Sequence, residues 1–298
     1  MELFFDRLLQ GVQSGAVYAS LALALVIVHR TTGLLNFAQG EMATFSLFVT
    51  WQLTDWGLPL WAALVVSMAL SFVGGAFVER VLVRPVGDFR KNPLAIVIVT
   101  IGLLLALNAV AAFIWGSEGL KLPRLFPENR WEFGPVTVSA TLVGVLGILG
   151  AEALGLWFVF MRTRIGLAMR AVASNPESAR LCGIRIGTVL MFGWGLAAAT
   201  GAVASLVRVI TLPSLSFDAN IMQFTLVYAF AAAILGGLDS PPGAVVGGLV
   251  VGVAESLSAG YVSWIGPDLA LVSAFALILV VLIVRPEGLF GEKKVVRV

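Results

Sequence analysis

Charge is scarce in this chain. Of its 298 residues only 12% are Asp, Glu, Lys or Arg, while 59% are apolar and the mean hydropathy is +0.98. Soluble domains carry about 25% charged residues, so a water-soluble globule is excluded. The single cysteine, Cys182, excludes an intrachain disulfide. The single histidine, His29, leaves no partner for a histidine dyad or a histidine-based zinc site. No G-x-x-x-x-G-K-[ST] run is present to cradle a nucleotide triphosphate, and neither G-x-S-x-G nor H-E-x-x-H occurs. A net charge of +2 gives a nucleic-acid partner no electrostatic support. With the usual reactive groups missing, movement of a solute through a membrane fits better than chemistry at one.

What the chain does have is long apolar runs. A spanning helix needs about 20 largely apolar residues, and such runs lie at 8–28, 58–78, 94–115, 138–160, 188–207 and 269–284. Two shorter ones, 221–235 and 244–258, flank a Gly/Pro-rich hairpin. A further apolar stretch, 36–53, opens with a polar, glycine-bearing motif. The expected fold is an all-α membrane protein, a polytopic bundle of about eight transmembrane helices plus one broken or re-entrant segment, forming a single permease-type domain over 1–298. The N-terminus lacks the basic start and small-residue cleavage site of a secretory signal, so the first run is read as a retained span.

Basic residues set the orientation. Arg80, Arg84, Arg90 and Lys91 fall in one segment, Arg162, Arg164, Arg170, Arg180 and Arg185 in a second, and Arg285, Lys293, Lys294 and Arg297 in the tail. The positive-inside tendency makes these three segments, and with them the C-terminus, cytoplasmic. Interfacial tryptophans agree, with Trp51, Trp56, Trp61, Trp115, Trp131 and Trp264 at the outer boundary and Trp157 and Trp194 at the inner one. If 36–53 is re-entrant the N-terminus lies inside; if it crosses, outside. The re-entrant arrangement is the one expected.

The longest inner segment, 162–187, has a defined start and stop. Asn175 followed by Pro176 is a helix start, because Asn caps and Pro suits the first helical position. Glu177 falls in the positive first turn, Arg180 near the negative end, and Gly183 is placed for a left-handed close. A piece over 166–173 precedes it, giving a bent pair of short helices. The plainer alternative is a basic connector, but connectors of this kind run to about 2–8 residues.

The run Glu177-Ser-Ala-Arg-Leu-Cys-Gly183 resembles the E-A-A-x-x-x-G motif of ABC importer permeases, with Ser178 in place of the first alanine. The fuller string from Gly166 to Ile184, together with 33–42 (GLLNFAQGEM) and 285–291 (RPEGLFG), is similar to branched-chain amino-acid permeases of the LivH type. The isoleucine-and-proline tail of the maltose and methionine permeases is absent. The resemblance covers nearly the whole chain. It implies that Gly166, Arg170, Asn175, Pro176, Glu177, Ala179, Arg180, Leu181 and Gly183 form a cytoplasmic coupling helix seated against an ATPase subunit. It further implies two ATPase subunits that bind ATP and Mg, no cofactor or metal in this chain, a second homologous permease subunit, an extracytoplasmic binding protein, and a place in the inner or plasma membrane. Branched-chain or related hydrophobic amino acids are the expected cargo. Urea, an amide or another amino acid is the nearest alternative, and a self-contained channel or ion-coupled carrier the alternative of another class.

Asn36, Gln39, Gly40 and Glu41 interrupt an apolar stretch. A carboxylate at the bilayer centre costs about 2.5–3.5 kcal/mol on insertion scales, and broken backbone is tolerated where it lines a cavity or is buried in protein. The motif either starts the next span or flanks a substrate path. Gly236, Gly237, Asp239 and Gly243 form the second glycine-interrupted hairpin, and such pairs point to transport sites; a plain inner turn is the alternative. Asn108, Glu152 and Glu255 lie inside spans and are expected to hydrogen-bond between helices. The small residues of 193–201 are expected to let helices pack closely.

Overall fold

The computed structural model describes residues 2–87, 93–116, 118–134, 136–261 and 270–291. Arg90, Lys91, Trp264, Lys293, Lys294 and Arg297, used above for orientation, lie outside the described residues. The helices are α1 (Glu2–Thr32), α2 (Gln39–Asp55), α3 (Leu60–Val78), α4 (Pro93–Trp115), α5 (Ala140–Arg162), α6 (Arg164–Ser174), α7 (Pro176–Leu181), α8 (Ile186–Ile210), α9 (Gln223–Gly236), α10 (Pro241–Tyr261) and α11 (Ala270–Val284). Among the described residues six helices are long and apolar enough to cross a membrane: α1, α3, α4, α5, α8 and α10. The chain is a polytopic all-α membrane protein. The segment connecting α4 to α5 carries β1 (Leu120–Lys121) and the hairpin of β2 (Arg130–Phe133) and β3 (Val136–Ser139). β1 pairs with β4 (Ser216–Phe217) after α8.

α1 and α8 sit at the centre. Residues 16–28 of α1 are almost entirely buried, and most of α8 beyond its first turn is too. That burial explains their composition, since a helix surrounded on all sides needs no polar face. Glycine brings α1 against α10. A Cβ on Gly252 would stand 2.3 Å from the Gly15 nitrogen, and one on Gly248 2.5 Å from the Ala19 Cα. Gly11 and Gly15 thus face Gly248 and Gly252, two small-residue pairs at four-residue spacing, the arrangement that lets membrane helices touch backbone to backbone. The 193–201 stretch does as expected: Gly193 meets Thr31, Gly195 meets the Phe72 carbonyl, and Gly201 meets Gln39. By contrast α3, α4 and α5 expose Val73, Phe77, Ile98, Phe113, Leu154 and Phe158, as lipid-facing surfaces do.

Two expectations are overturned. Gln10, Gln13 and Ser14 border the same cavity as residues 124–130 and Thr211, at the end of the bundle where α5 begins. His29 and Thr31 reach Asp239 and Gly193, at the end where α8 begins. α1 therefore starts on the face opposite 162–187, not on the same one. The re-entrant reading of 36–53 falls with it. Trp115, at the far end of α4, donates to Gln52 at 3.0 Å and stacks on Phe48, so α2 ends with α4 on the face opposite 162–187. Residues 33–38 climb without helix and α2 continues, its 17 residues adding about 26 Å; together they complete a crossing. Trp194 is also displaced from its expected interfacial belt: it is buried in the core, its carbonyl pressed against Gly75.

Candidate functional site

The end of the bundle where α8 begins carries the capped element that the spacing of 162–187 predicts. Thr163 caps α6, accepting from the Gly166 amide at 3.1 Å. Gly166 sits so tightly in the α5–α6 turn that a Cβ would lie 2.2 Å from the Val159 carbonyl oxygen. The Asn175 side-chain oxygen accepts from the Glu177 and Ser178 amides, each at 3.0 Å, and Pro176 is the first residue of α7. Gly183 closes the helix with φ +81°, a conformation that glycine adopts without a Cβ penalty. Only Ala179 of α7 turns inward and is buried; Glu177, Arg180 and Leu181 are exposed, Leu181 at 89%. Arg170 is apart from this group. It is half-buried and reaches back to the Met161 sulfur at 3.7 Å.

A second constellation lies halfway through the bundle. Gln39 donates to the carbonyl of Ala197, midway along α8, at 2.9 Å. Asn36 accepts from the Ala38 amide and donates to Gln39, so the two amides fasten the non-helical climb to α8. Gly40 lets α2 approach Leu226 of α9. The next residue, Glu41, is buried and accepts from Asn108 of α4 at 3.4 Å. The same Asn108 amide donates to the Asn220 side chain and the Ala219 carbonyl, each at 3.1 Å, and Gln223 donates to Asn220 at 2.7 Å. Asn220, Gln223 and Phe224 are exposed at this depth. Amides in mid-membrane do not face lipid; this face borders water or protein. Asn220 and Gln223 escaped the sequence reading because Asn220 directly precedes the apolar run at 221–235 and Gln223 is a single polar residue at its start. Two amides three residues apart at the start of a short span were the available signal.

The hairpin does not join this cluster. Gly236 and Gly243 face each other at the end of the bundle that holds His29, where a Cβ on Gly236 would lie 2.0 Å from the Gly243 oxygen. Gly237 has φ +102° and abuts Gly291. The tail folds back so that the Leu289 and Phe290 amides donate to the Leu235 and Gly236 carbonyls at 2.8 and 3.0 Å, closing the C-terminus of α9. Asp239 lies 3.4 Å from the only histidine, His29. The hairpin is braced instead by the RPEGLFG tail, whose amides satisfy the last α9 carbonyls. Glu152 and Glu255 act between helices as expected, accepting from Ser20 and Tyr18 at 2.6 Å each. Among the described residues no group of His, Cys, Asp and Glu could hold a metal.

A multi-pass helical body, with a capped contact helix at one end and a polar cluster in its interior, defines a transport subunit of the bilayer. Comparison with known proteins makes the class specific. Residues 7–284 match the family described as branched-chain amino acid transport system / permease component. The high-affinity branched-chain amino acid transport system permease protein LivH of Escherichia coli K12 is 31% identical over 99% of this chain and 98% of its own length. The corresponding BraD protein of Pseudomonas aeruginosa is 30% identical over 99% and 98%. The autoinducer 2 import system permease protein LsrD of Klebsiella pneumoniae is 26% identical over 81% of this chain and 69% of its own length. The chain belongs to the branched-chain amino-acid permease family and is a permease subunit of the ABC importer class.

Proposed function

We propose that this chain pairs with a second homologous permease subunit to carry branched-chain or related hydrophobic amino acids inward, driven by two cytoplasmic ATPase subunits. The observation that carries the reading is α7: a double-capped helix that buries one alanine and offers Glu177, Arg180 and Leu181 to a partner. A short helix closed at both ends moves as a unit, so a push on it passes to α6 and α8 rather than being lost in fraying. ATP and Mg belong to the ATPase subunits, and this chain holds no cofactor. The cargo follows the names of LivH and BraD, and an extracytoplasmic binding protein delivers it. The face bearing 162–187 and the C-terminus is cytoplasmic, in the inner or plasma membrane.

The path runs past Glu41, Asn108, Asn220 and Gln223, with Asn36, Gln39 and Gly40 holding the break that exposes it. A polar patch of this kind lets a zwitterion cross without a fully apolar barrier, while Phe224 and its neighbours meet the hydrophobic side chain. Coexpression with a tagged ATPase of the same importer, followed by pull-down, tests the coupling. Wild type recovers the ATPase and Glu177→Arg does not; equal recovery removes the coupling role from α7. Uptake of labelled leucine against labelled urea by the assembled importer tests the cargo.

A further inference from the structure

We infer that the outer-end cavity of this chain is a site for the carboxylate of a free amino acid, with Arg208 as its principal donor. The inference rests on the amino-acid cargo proposed above. The cavity has a volume of about 760 Å³, within the range of small-molecule sites. It lies between α1, α5, the end of α8 and the loop before the β2–β3 hairpin, all from one chain.

Three features give it a positive interior. Arg124 and Glu128 of its wall form an ion pair with each other, while Arg130 and Arg208 line it without an ion-pair partner among the described residues, Arg208 lying within electrostatic reach of Glu255. None of the ion pairs among the described residues includes Arg208. The N-terminus of α5, capped by Ser139 and followed by Thr141, also borders the space and adds the partial positive charge of a 23-residue helix.

Arg208 distinguishes this cavity from a merely basic rim. An arginine in the last turn of a spanning helix ordinarily extends its head to water or lipid phosphate. Here its Nε is buried and has no hydrogen-bond partner among the described residues. A buried guanidinium nitrogen left without an acceptor is costly, and the planar fork of arginine matches a carboxylate in two parallel bonds. Gln10 and Gln13 of α1 line the same cavity with neutral amides.

The test uses the full-length chain in nanodiscs and ligand-detected saturation-transfer NMR, which reads weak binding. L-leucine is the probe, competed by L-leucinamide, which lacks the carboxylate, and by inorganic phosphate. The expected result is leucine binding that neither competitor displaces, weakened about tenfold or more by Arg208→Gln, as for loss of a charge-assisted hydrogen bond. Arg208→Lys restores part of the loss. Because Arg208→Gln alters a partly buried site, Arg130→Gln on the exposed hairpin is the second variant, with a smaller loss. Anionic-lipid nanodiscs that abolish leucine binding, or phosphate that displaces it, assign the site to phosphate and overturn the inference. Displacement by leucinamide, absence of leucine binding, or unchanged binding in both variants overturns it as well. ATPase pull-down of the same preparations separates the two readings: recovered ATPase without leucine binding fails the cavity alone, and leucine binding without recovered ATPase fails the coupling alone.

Discussion

The Tyr18 hydroxyl donates to a Glu255 carboxylate oxygen at 2.6 Å, tying α1 to α10 across 237 positions of sequence. The Tyr228 ring stacks on Tyr18 with centroids 4.7 Å apart and brings α9 into the same contact. Removing the hydroxyl leaves a carboxylate oxygen without its donor. Tyr18→Phe is expected to destabilise the fold by about 1 kcal/mol, since interhelical hydrogen bonds in membrane proteins average about 0.6 and reach about 1.7 kcal/mol. Thermal unfolding of the detergent-solubilised chain reads the shift.

The α1–α10 crossing has no room for a side chain. Gly252→Val is expected to abolish recovery of monodisperse protein on size exclusion, because its Cβ meets the Gly15 nitrogen and the Gly11 oxygen. Gly147→Ala, where an added Cβ meets nothing within 4 Å, serves as the control and leaves recovery unchanged or raised.

Asn175 satisfies two otherwise free amides of α7. Asn175→Ala is expected to cost about 1 kcal/mol of local helix stability, and Asn175→Asp to retain most of it. Hydrogen exchange of residues 177–181 should quicken in the alanine variant while exchange of α8 stays as in wild type. Leucine uptake should fall with it if α7 transmits the push.

Asn220 is exposed and Asn108 only half-buried, so their replacement removes polarity without opening the core. Asn220→Ala is expected to lower leucine uptake several-fold with little change in melting temperature. Glu41→Leu is the complementary variant: it keeps the volume class, removes one acceptor of Asn108 and leaves that amide with Asn220 and the Ala219 carbonyl. Uptake that survives both variants would move the path away from this face.

Cys182 is exposed beside α7 and is the only thiol of the chain. A membrane-impermeant maleimide is expected to label it in inside-out vesicles and not in intact cells. Labelling from the outside of intact cells would invert the proposed orientation.

Local chemistry alone determined a good deal here. The apolar runs, the capped start at Asn175–Pro176, the glycine stop at Gly183 and the close-packing role of 193–201 are set by periodicity, capping and size, all of which act within a few residues. Tertiary contact decided the rest. Gln39 reaches Ala197 across 158 positions, and Asn108 reaches Asn220 across 112. Those two bonds fasten the break at Asn36 to the middle of α8 and join α4 to the start of α9. The RPEGLFG tail likewise braces the Gly236–Gly243 hairpin by satisfying α9 carbonyls that no neighbour in sequence satisfies. A polar side chain in an apolar run announces that it must find a partner; which partner it finds depends on helices brought beside it from far along the chain.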